Sequence, residues 1–517
     1  MTARRKPNLR STVSRAAVFA RNAPLGVPRS RQHAGLRSGG PRSYNLERRG
    51  GQWETSAERT VPIRLYLINP RNPLVSLTHI RESHWNHYRV WKPLGLAVLA
   101  ALTPPEWETT IFDENIRLGD YAALPRPDLV GITAFTSQAN RAYEVAAEFR
   151  SRGVPVVMGG IHATMATEEA LARVDAVVTG EAEPIWAQVL ADVRQGALQR
   201  LYAGAHADMD KIPPARHDLL TGDYACGAIQ TTRGCPLSCS FCSVTAFNGH
   251  RYRQRPIENV VREFGAIREK HVLIVDDNLI GTRDDHIARA KDLFRAMIRA
   301  NVRKQWIAQA TINMADDEEL LTLAAKAGCT GVFVGFESLT DEGLKALGGK
   351  RHILEGRDFA ASVRRIHRHK ILVAGSFILG LDTDEPGIGR RIAEAANRYG
   401  VDVLNTLFLT PLPGTRLWDE MKSRGSIAAD TFPEDWKYYT LTFPVARYAR
   451  FSCDDILREM EDCDGHFYAL RHILGRVWRS FWQGRQPLLM LASNLSYRSN
   501  LRLSRQASRD FARTRAT

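Results

Sequence analysis

The sequence predicts an α/β protein: two parallel-sheet domains in tandem, closed by a helical extension. Short apolar runs alternate with helical stretches over 61–200 and again over 226–425. A strand–helix–strand rhythm of this kind builds parallel sheets covered on both faces. Polar residues collect where the predicted strands end, and early in the second run sits a tight group of three cysteines, Cys235, Cys239 and Cys242. A chain of 517 residues suits about three domains.

In the first run, strands are expected over 63–69, 109–113, 128–134, 154–158 and 175–179, with helices over 93–102 and 140–152. Five such strands fit a flavodoxin-like (Rossmann-like) doubly wound domain, which binds ligands at the carboxyl ends of its strands. Two strand ends stand out there. The third runs into Thr133-Ala134-Phe135-Thr136-Ser137, whose hydroxyls suit a buried heterocycle. The fourth runs into Gly159-Gly160-Ile161-His162, where paired glycines let a flat group approach the backbone. A double glycine alone is also the mark of an ordinary turn.

The second run gives six strand–helix units, five of them after the cysteines. Strand ends fall at Asp276-Asp277-Asn278, Gln309, Glu337-Ser338, Gly380 and Leu412-Pro413-Gly414-Thr415; helices are expected over 258–269, 285–299, 318–327, 357–367 and 387–399. Six βα units suit a partial (β/α)6 barrel, with its chemistry at the C-terminal face of the strands. Each acidic strand end has a plainer alternative, such as helix capping.

The spacing C-x3-C-x2-C offers three thiolates to a cluster that normally takes four, leaving one iron open. A zinc site would need a second Cys/His pair, and none flanks this triplet. A disulfide framework suits a short secreted chain. Cys226, Cys329, Cys453 and Cys463 are scattered without ligand spacing.

With Arg233-Gly234 before the first cysteine and Phe241 before the last, the segment resembles the radical S-adenosylmethionine (SAM) superfamily. The resemblance extends over 61–517. Its first domain looks like the cobalamin-binding domain that precedes many such enzymes, down to Gly159-Gly160-Ile161-His162-Ala163 and Gly180-Glu181-Ala182-Glu183. The resemblance implies three cofactors. A 4Fe–4S cluster would sit on Cys235, Cys239 and Cys242. SAM would lie against Phe241, Asp276, Asp277, Asn278, Gln309, Glu337 and Gly380. Cobalamin would lie against Thr133, Ser137, Gly159, Gly160 and His162. Many cobalamin domains carry a cobalt-ligating histidine after the first strand; here Asn69–Pro73 holds none. His79, His84 and His87 follow in an aromatic-rich insertion expected to cover the corrin or the substrate.

The implied activity is methylation of an unactivated carbon of a lipid, pigment or natural product, through a 5′-deoxyadenosyl radical and methylcobalamin. Open alternatives are oxidative cyclisation or rearrangement with the same cofactors, a radical SAM enzyme without cobalamin, and a non-catalytic cobalamin- or redox-sensing protein. A low-potential donor of flavodoxin or ferredoxin type is implied as electron source.

The expected division is a basic arm over 1–60, the cobalamin-binding domain over 61–200, a linker over 201–225, the radical SAM domain over 226–425 and a helical extension over 426–517. The net charge of +15 is uneven: residues 1–50 carry +11 and residues 471–517 carry +9, leaving the middle mildly acidic. That argues against a nucleic-acid groove through the core. The arm lacks periodicity and reads as disordered, with a transit peptide as a lesser alternative. No apolar run reaches the roughly 18–20 residues of a membrane span. Arg471, Arg476, Trp478, Arg479 and Trp482 lie at helical spacing, and their segment docks on the barrel, lies on an anionic membrane surface or, least in keeping with the rest, contacts nucleic acid. The expected location is the cytoplasm.

Overall fold

The computed structural model describes residues 63–74 and 91–516. The arm over 1–60 and the histidines at 79, 84 and 87 lie outside the described residues. The first sheet has six strands: β1 (Ile63–Asn69), β2 (Trp107–Asp113), β3 (Leu129–Thr133), β4 (Val156–Gly159), β5 (Ala176–Thr179) and β6 (Leu201–Ala203). All pairings are parallel and the order is β2-β1-β3-β4-β5-β6. That is the flavodoxin-like order with one strand added. The extra strand lies in the stretch expected to be a linker, and Met209, Ile212 and Leu220 of that stretch pack under the sheet.

Helices α1 (Leu94–Leu102), α2 (Ala139–Ser151), α3 (Gly160–Met165), α4 (Thr167–Leu171) and α5 (Trp186–Arg194) connect these strands. They cover both faces, so Leu65, Tyr66, Leu67 and Ile68 of β1 are all buried. This is why the strand reads as an unbroken apolar run rather than an alternating one.

The second sheet runs β14-β13-β12-β11-β10-β7, again all parallel. Its strands are β7 (Cys226–Ile229), β10 (His271–Ile274), β11 (Gln305–Gln309), β12 (Cys329–Glu337), β13 (Leu372–Leu379) and β14 (Val403–Phe408). A two-stranded antiparallel ribbon, β8 (Thr232–Arg233) with β9 (Arg253–Gln254), brackets the cysteine loop. Six strands in sequence order, without pairing between β7 and β14, make the open barrel expected. Helices α6 (Ser243–Asn248), α7 (Ile257–Ala266), α8 (Asp284–Arg299), α9 (Glu318–Lys326), α10 (Asp341–Leu347), α11 (Arg351–Leu354), α12 (Phe359–Arg368), α13 (Ile388–Tyr399) and α14 (Arg416–Ser423) wrap it. Trp306, Val332, Val334, Phe336, Phe377 and Phe408 point outward into the helices. The residues between them face the barrel interior.

The extension comprises α15 (Cys453–Phe467), α16 (Leu470–Trp482) and α17 (Pro487–Ala516). Arg476 of α16 is buried. It donates to Asn494 at 2.7 Å, Asn397 at 2.8 Å and the Phe467 carbonyl at 2.9 Å, and lies 3.9 Å over the Phe467 ring. Arg485 reaches Asp402 at 2.8 Å, the carboxylate that also meets His367 and the Val373 amide. Phe511, near the end of α17, packs with Trp436, Tyr439 and Phe443 into the first domain's core. The extension therefore straps the two sheets together.

One ion cluster joins the sheets from within. Glu181, just past β5, accepts from Arg233 at 2.8 Å, from both terminal nitrogens of Arg253 and from the Ala207 amide at 2.7 Å. Glu183 takes the other arm of Arg233 at 2.8 Å. Burial alone would raise the Glu181 carboxyl. The Arg253 hydrogen bond, the Arg233 charge and the Ala207 amide outweigh it and hold its pKa at about 2.

A depressed folded pKa means stabilisation that is present above the unfolded carboxylate range and is lost as pH falls through it. Glu181→Gln should therefore cost about 3 kcal/mol near neutral pH. In denaturant titrations the gap between the two proteins should close as pH falls from about 4.5 toward about 2. Arg476→Ala should cost about 3 kcal/mol by stranding Asn494 and Asn397, and limited proteolysis should then cut first between α15 and α17.

Candidate active site at the cysteine loop and the facing sheet edge

The cysteine loop is fastened at every turn. Gly234 opens it at φ +88°, where a Cβ would come within 2.2 Å of the Arg251 carbonyl. Asp276 is fully buried below it and accepts from the Thr231 amide at 2.6 Å, the Thr231 hydroxyl at 2.5 Å and the Thr232 hydroxyl at 3.0 Å. Burial pushes this carboxyl up to about 6 against those bonds. Asp277 accepts from the Gly234 amide at 2.8 Å and from Asn248 at 3.0 Å. Beyond the first cysteine, the Ser240 amide donates to the Leu347 carbonyl at 3.0 Å, and the Leu417 amide donates back to Ser240 at 3.0 Å. The loop is thus held between α10 and α14.

The three thiols are free of disulfides. Cys242 acts electrostatically on both Cys235 and Cys239. Among the described residues, no three His, Cys, Asp or Glu side chains converge closely enough for a single metal ion. Three soft thiols on one loop are a donor set that fits an iron–sulfur cluster with one iron left open. Burial pushes the Cys235 thiol up to about 11 and the Cys239 thiol up to about 12, so iron must displace protons to bind them.

Lys350, which sequence reasoning passed over, lies beside these thiols. Its ammonium is 2.5 Å from Glu337 and acts on Cys239. Glu337 sits at φ +65° on an irregular step of β12, and Gly335 makes room for the pair: a Cβ there would lie 2.1 Å from Glu337 and 2.5 Å from Lys350. A strained non-glycine residue of this kind persists only where its surroundings enforce it.

The remaining expected SAM contacts divide. Gln309 ends β11 exposed, facing the interior beside half-buried Phe333, Ser376 and Asn405. Ser376 and Asn405 had no signal beyond strand alternation. Phe241 is half-buried against the barrel core. Asn278 is buried, donating to Gly281 and Thr311, with its carbonyl oxygen unpartnered among the described residues. Asp276 spends both oxygens on Thr231 and Thr232, which lead into the loop. Gly380 has φ +96°, and a Cβ there would meet the Tyr448 ring at 2.5 Å.

At the edge of the first sheet, Gly160 has φ +86°, and a Cβ there would fall 2.5 Å from the Thr133 hydroxyl and 3.3 Å from the Ala134 amide. Ser137 is buried and accepts from Asn72 at 2.8 Å; the Asn72 carbonyl oxygen is buried without a partner among the described residues. A glycine cradle with an orphaned polar atom fits a large planar group with polar substituents. His162 is fully buried, meets the Tyr143 hydroxyl at 2.9 Å and packs edge-on against Trp436, while its other ring nitrogen is buried without a partner among the described residues.

The cradle and the cysteine loop face each other. Helix α3, which begins at Gly160, lies against α6, which follows Cys242. Met165 at its end touches Gly414 so closely that a Cβ there would lie 2.1 Å from its sulfur.

The radical SAM superfamily profile matches residues 229–387 and the B12 binding domain profile matches residues 86–190. Bacteriochlorophyllide d C-12(1)-methyltransferase of Chlorobaculum tepidum is 30% identical over 349 residues, spanning 64% of this chain and 74% of that protein. The chain belongs to the cobalamin-binding radical SAM enzymes. Another relative of this radical SAM enzyme is the hopanoid C-2 methylase of Rhodopseudomonas palustris, 30% identical over 353 residues, 65% of this chain and 66% of that one. Its fold is that of the radical SAM methyltransferase TsrM from Kitasatospora setae, solved with cobalamin and a 4Fe–4S cluster: TM-score 0.56, 21% identity, 72% of this chain and 79% of that one. The cofactors of this enzyme are accordingly an iron–sulfur cluster, SAM and cobalamin.

Each of Cys235→Ala, Cys239→Ala and Cys242→Ala should abolish iron uptake on anaerobic reconstitution, while Cys329→Ala should keep it. Gly349→Ala tests the packing: its Cβ would sit 2.4 Å from the Cys239 sulfur at a φ of +56°. Iron per chain should fall at least about two-fold, with the fold retained by circular dichroism.

Proposed function

We propose that this protein is a cobalamin-dependent radical SAM C-methyltransferase acting on an unactivated carbon of a lipophilic small molecule: a lipid, a pigment or a natural product. The observation that carries this reading is the apposition of the glycine cradle and the cysteine loop across α3 and α6. The named activities of the chlorophyllide and hopanoid relatives support the substrate class.

When bound, the cofactors supply the reducing electron, the hydrogen-abstracting radical and the methyl group. The chain supplies placement. Cys235, Cys239 and Cys242 hold the cluster, and Asp276 and Asp277 fix the loop that carries them. Gly159, Gly160, Thr133 and Ser137 receive the corrin-bearing group. Phe241, Asn278, Gln309 and the Lys350–Glu337 pair border the SAM position. Ser376, Asn405 and Phe333 line the interior where a substrate would lie.

The cobalamin-binding domain is assigned to 61–200 with its sheet closing at Ala203, the radical SAM domain to 226–425 and the strap to 426–517. A low-potential flavodoxin or ferredoxin would supply electrons in the cytoplasm, with peripheral contact at a membrane where a lipophilic substrate resides.

The test is anaerobic reconstitution with iron, sulfide and hydroxocobalamin, then a substrate screen by mass spectrometry. The reading expects about four irons and one cobalt per chain, and a product one methyl heavier with two SAM consumed per turnover. Full iron without cobalt would sink the methyl-transfer mechanism. An oxidised product of unchanged carbon count would move the enzyme to the cyclases.

A further inference from the structure

Helix α16 has two unlike faces. Ile473, Arg476 and Ser480 are buried against the barrel and α17. On the opposite side Leu470, Leu474, Trp478, Phe481 and Trp482 stand in solvent, and Leu488 at the start of α17 is 81% exposed. Leu470, Leu474, Trp478 and Trp482 recur every four residues and Phe481 lies three after Trp478, which places the five on one stripe. Among the described residues, eight large apolar side chains are more than half exposed, and these six make up most of them. The three aromatic rings cluster at the turn, with centroids 5.4 Å and 5.7 Å apart. Exposed Arg471 and Arg479 flank the stripe. Helix α16 carries no acidic residue, and Asp510, the one acid in 471–517, is far along α17.

We propose that this α16–α17 corner is a membrane-docking surface, seated on a bilayer that contains anionic lipids. Clustered tryptophans partition to the boundary between headgroups and acyl chains, and flanking arginines pair with anionic headgroups. No described helix is long and apolar enough to cross a membrane, so the stripe lies in the interfacial plane. A second copy of the chain is a poor occupant. An isologous contact would press Arg471 and Arg479 toward their symmetry mates with no carboxylate in the patch to neutralise them. The surface stands on its own geometry; only its purpose, access to a lipophilic substrate, rests on the function proposed above.

The full-length protein is tested by co-sedimentation with phosphatidylcholine vesicles, alone or mixed with phosphatidylglycerol, at low and high salt. The expected result is salt-sensitive binding to the mixed vesicles. It should weaken about ten-fold or more in Trp478→Ser/Trp482→Ser and several-fold in Arg471→Gln/Arg479→Gln, with unchanged thermal melts. Brominated lipids should quench tryptophan fluorescence in the unaltered chain, an arm that needs no variant. Failure to bind either vesicle overturns the proposal. So does a concentration-dependent dimer in sedimentation velocity that the Trp478→Ser/Trp482→Ser variant abolishes. Cobalt and iron are counted on the same preparations. A chain that loads both metals and ignores vesicles overturns the surface and leaves the enzymology intact, and one that binds vesicles without cobalt does the reverse.

Discussion

The contact on which the rest of the structure depends is the buried carboxylate of Glu181 between two guanidinium groups. Arg233 lies on β8, two residues before Cys235, and Arg253 lies on β9, just after α6. One side chain of the first domain therefore grips both ends of the cysteine loop. A buried carboxylate is costly unless charge and hydrogen bonds surround it. Here two arginines and an amide occupy its oxygens. Removing either arginine would leave the charge poorly compensated, so the arrangement tolerates one register between the sheets and penalises others.

Once the loop is gripped from outside, its inner shape follows from shorter bonds. Asp276 and Asp277 hold the approach to Cys235, and α10 and α14 hold Ser240 between the other two cysteines. Two of the three thiols are driven toward their protonated forms by burial. Iron binding at those two positions must therefore displace a proton from each. Lys350 opposes part of that burial effect and is itself held by Glu337. The strain at Glu337 and the gap at Gly335 belong to the same device: both exist so that an ion pair can sit beside the cysteine loop.

Much of this was legible in the sequence because parallel strands buried on both faces leave unbroken apolar runs. Most predicted strands lie within two residues of those found. What escaped has physical reasons. The strand Leu201–Ala203 is three residues long with two of them exposed, too short for any period to show. Asp276 was legible as a carboxylate at a strand end, but sequence does not say which way a side chain turns, and here it turns toward Thr231. His162 in a glycine turn has the look of a ligand contact; only the fold reveals Tyr143 and Trp436 closing around it. The long helix α17 is rich in Ser, Asn and Arg, so its packing is invisible until α15 and α16 are in place beside it.

Helix α16 had been open to three readings, docking on the barrel, lying on a membrane or meeting nucleic acid; the structure shows the docked face, and the membrane is proposed for the other. Arg476 and Arg485 belong to the docked side, where buried partners satisfy both. That side already fixes the helix. Nothing in the fold then requires tryptophan at 478 and 482 or phenylalanine at 481, since polar residues there would leave every buried contact of Arg476 and Ile473 unchanged. Large aromatic side chains held in water gain nothing for the folded chain, because their burial is the source of the stability they normally confer. Their concentration beside two exposed arginines, on a helix without a carboxylate, is therefore a property of what the surface meets, not of how the helix folds.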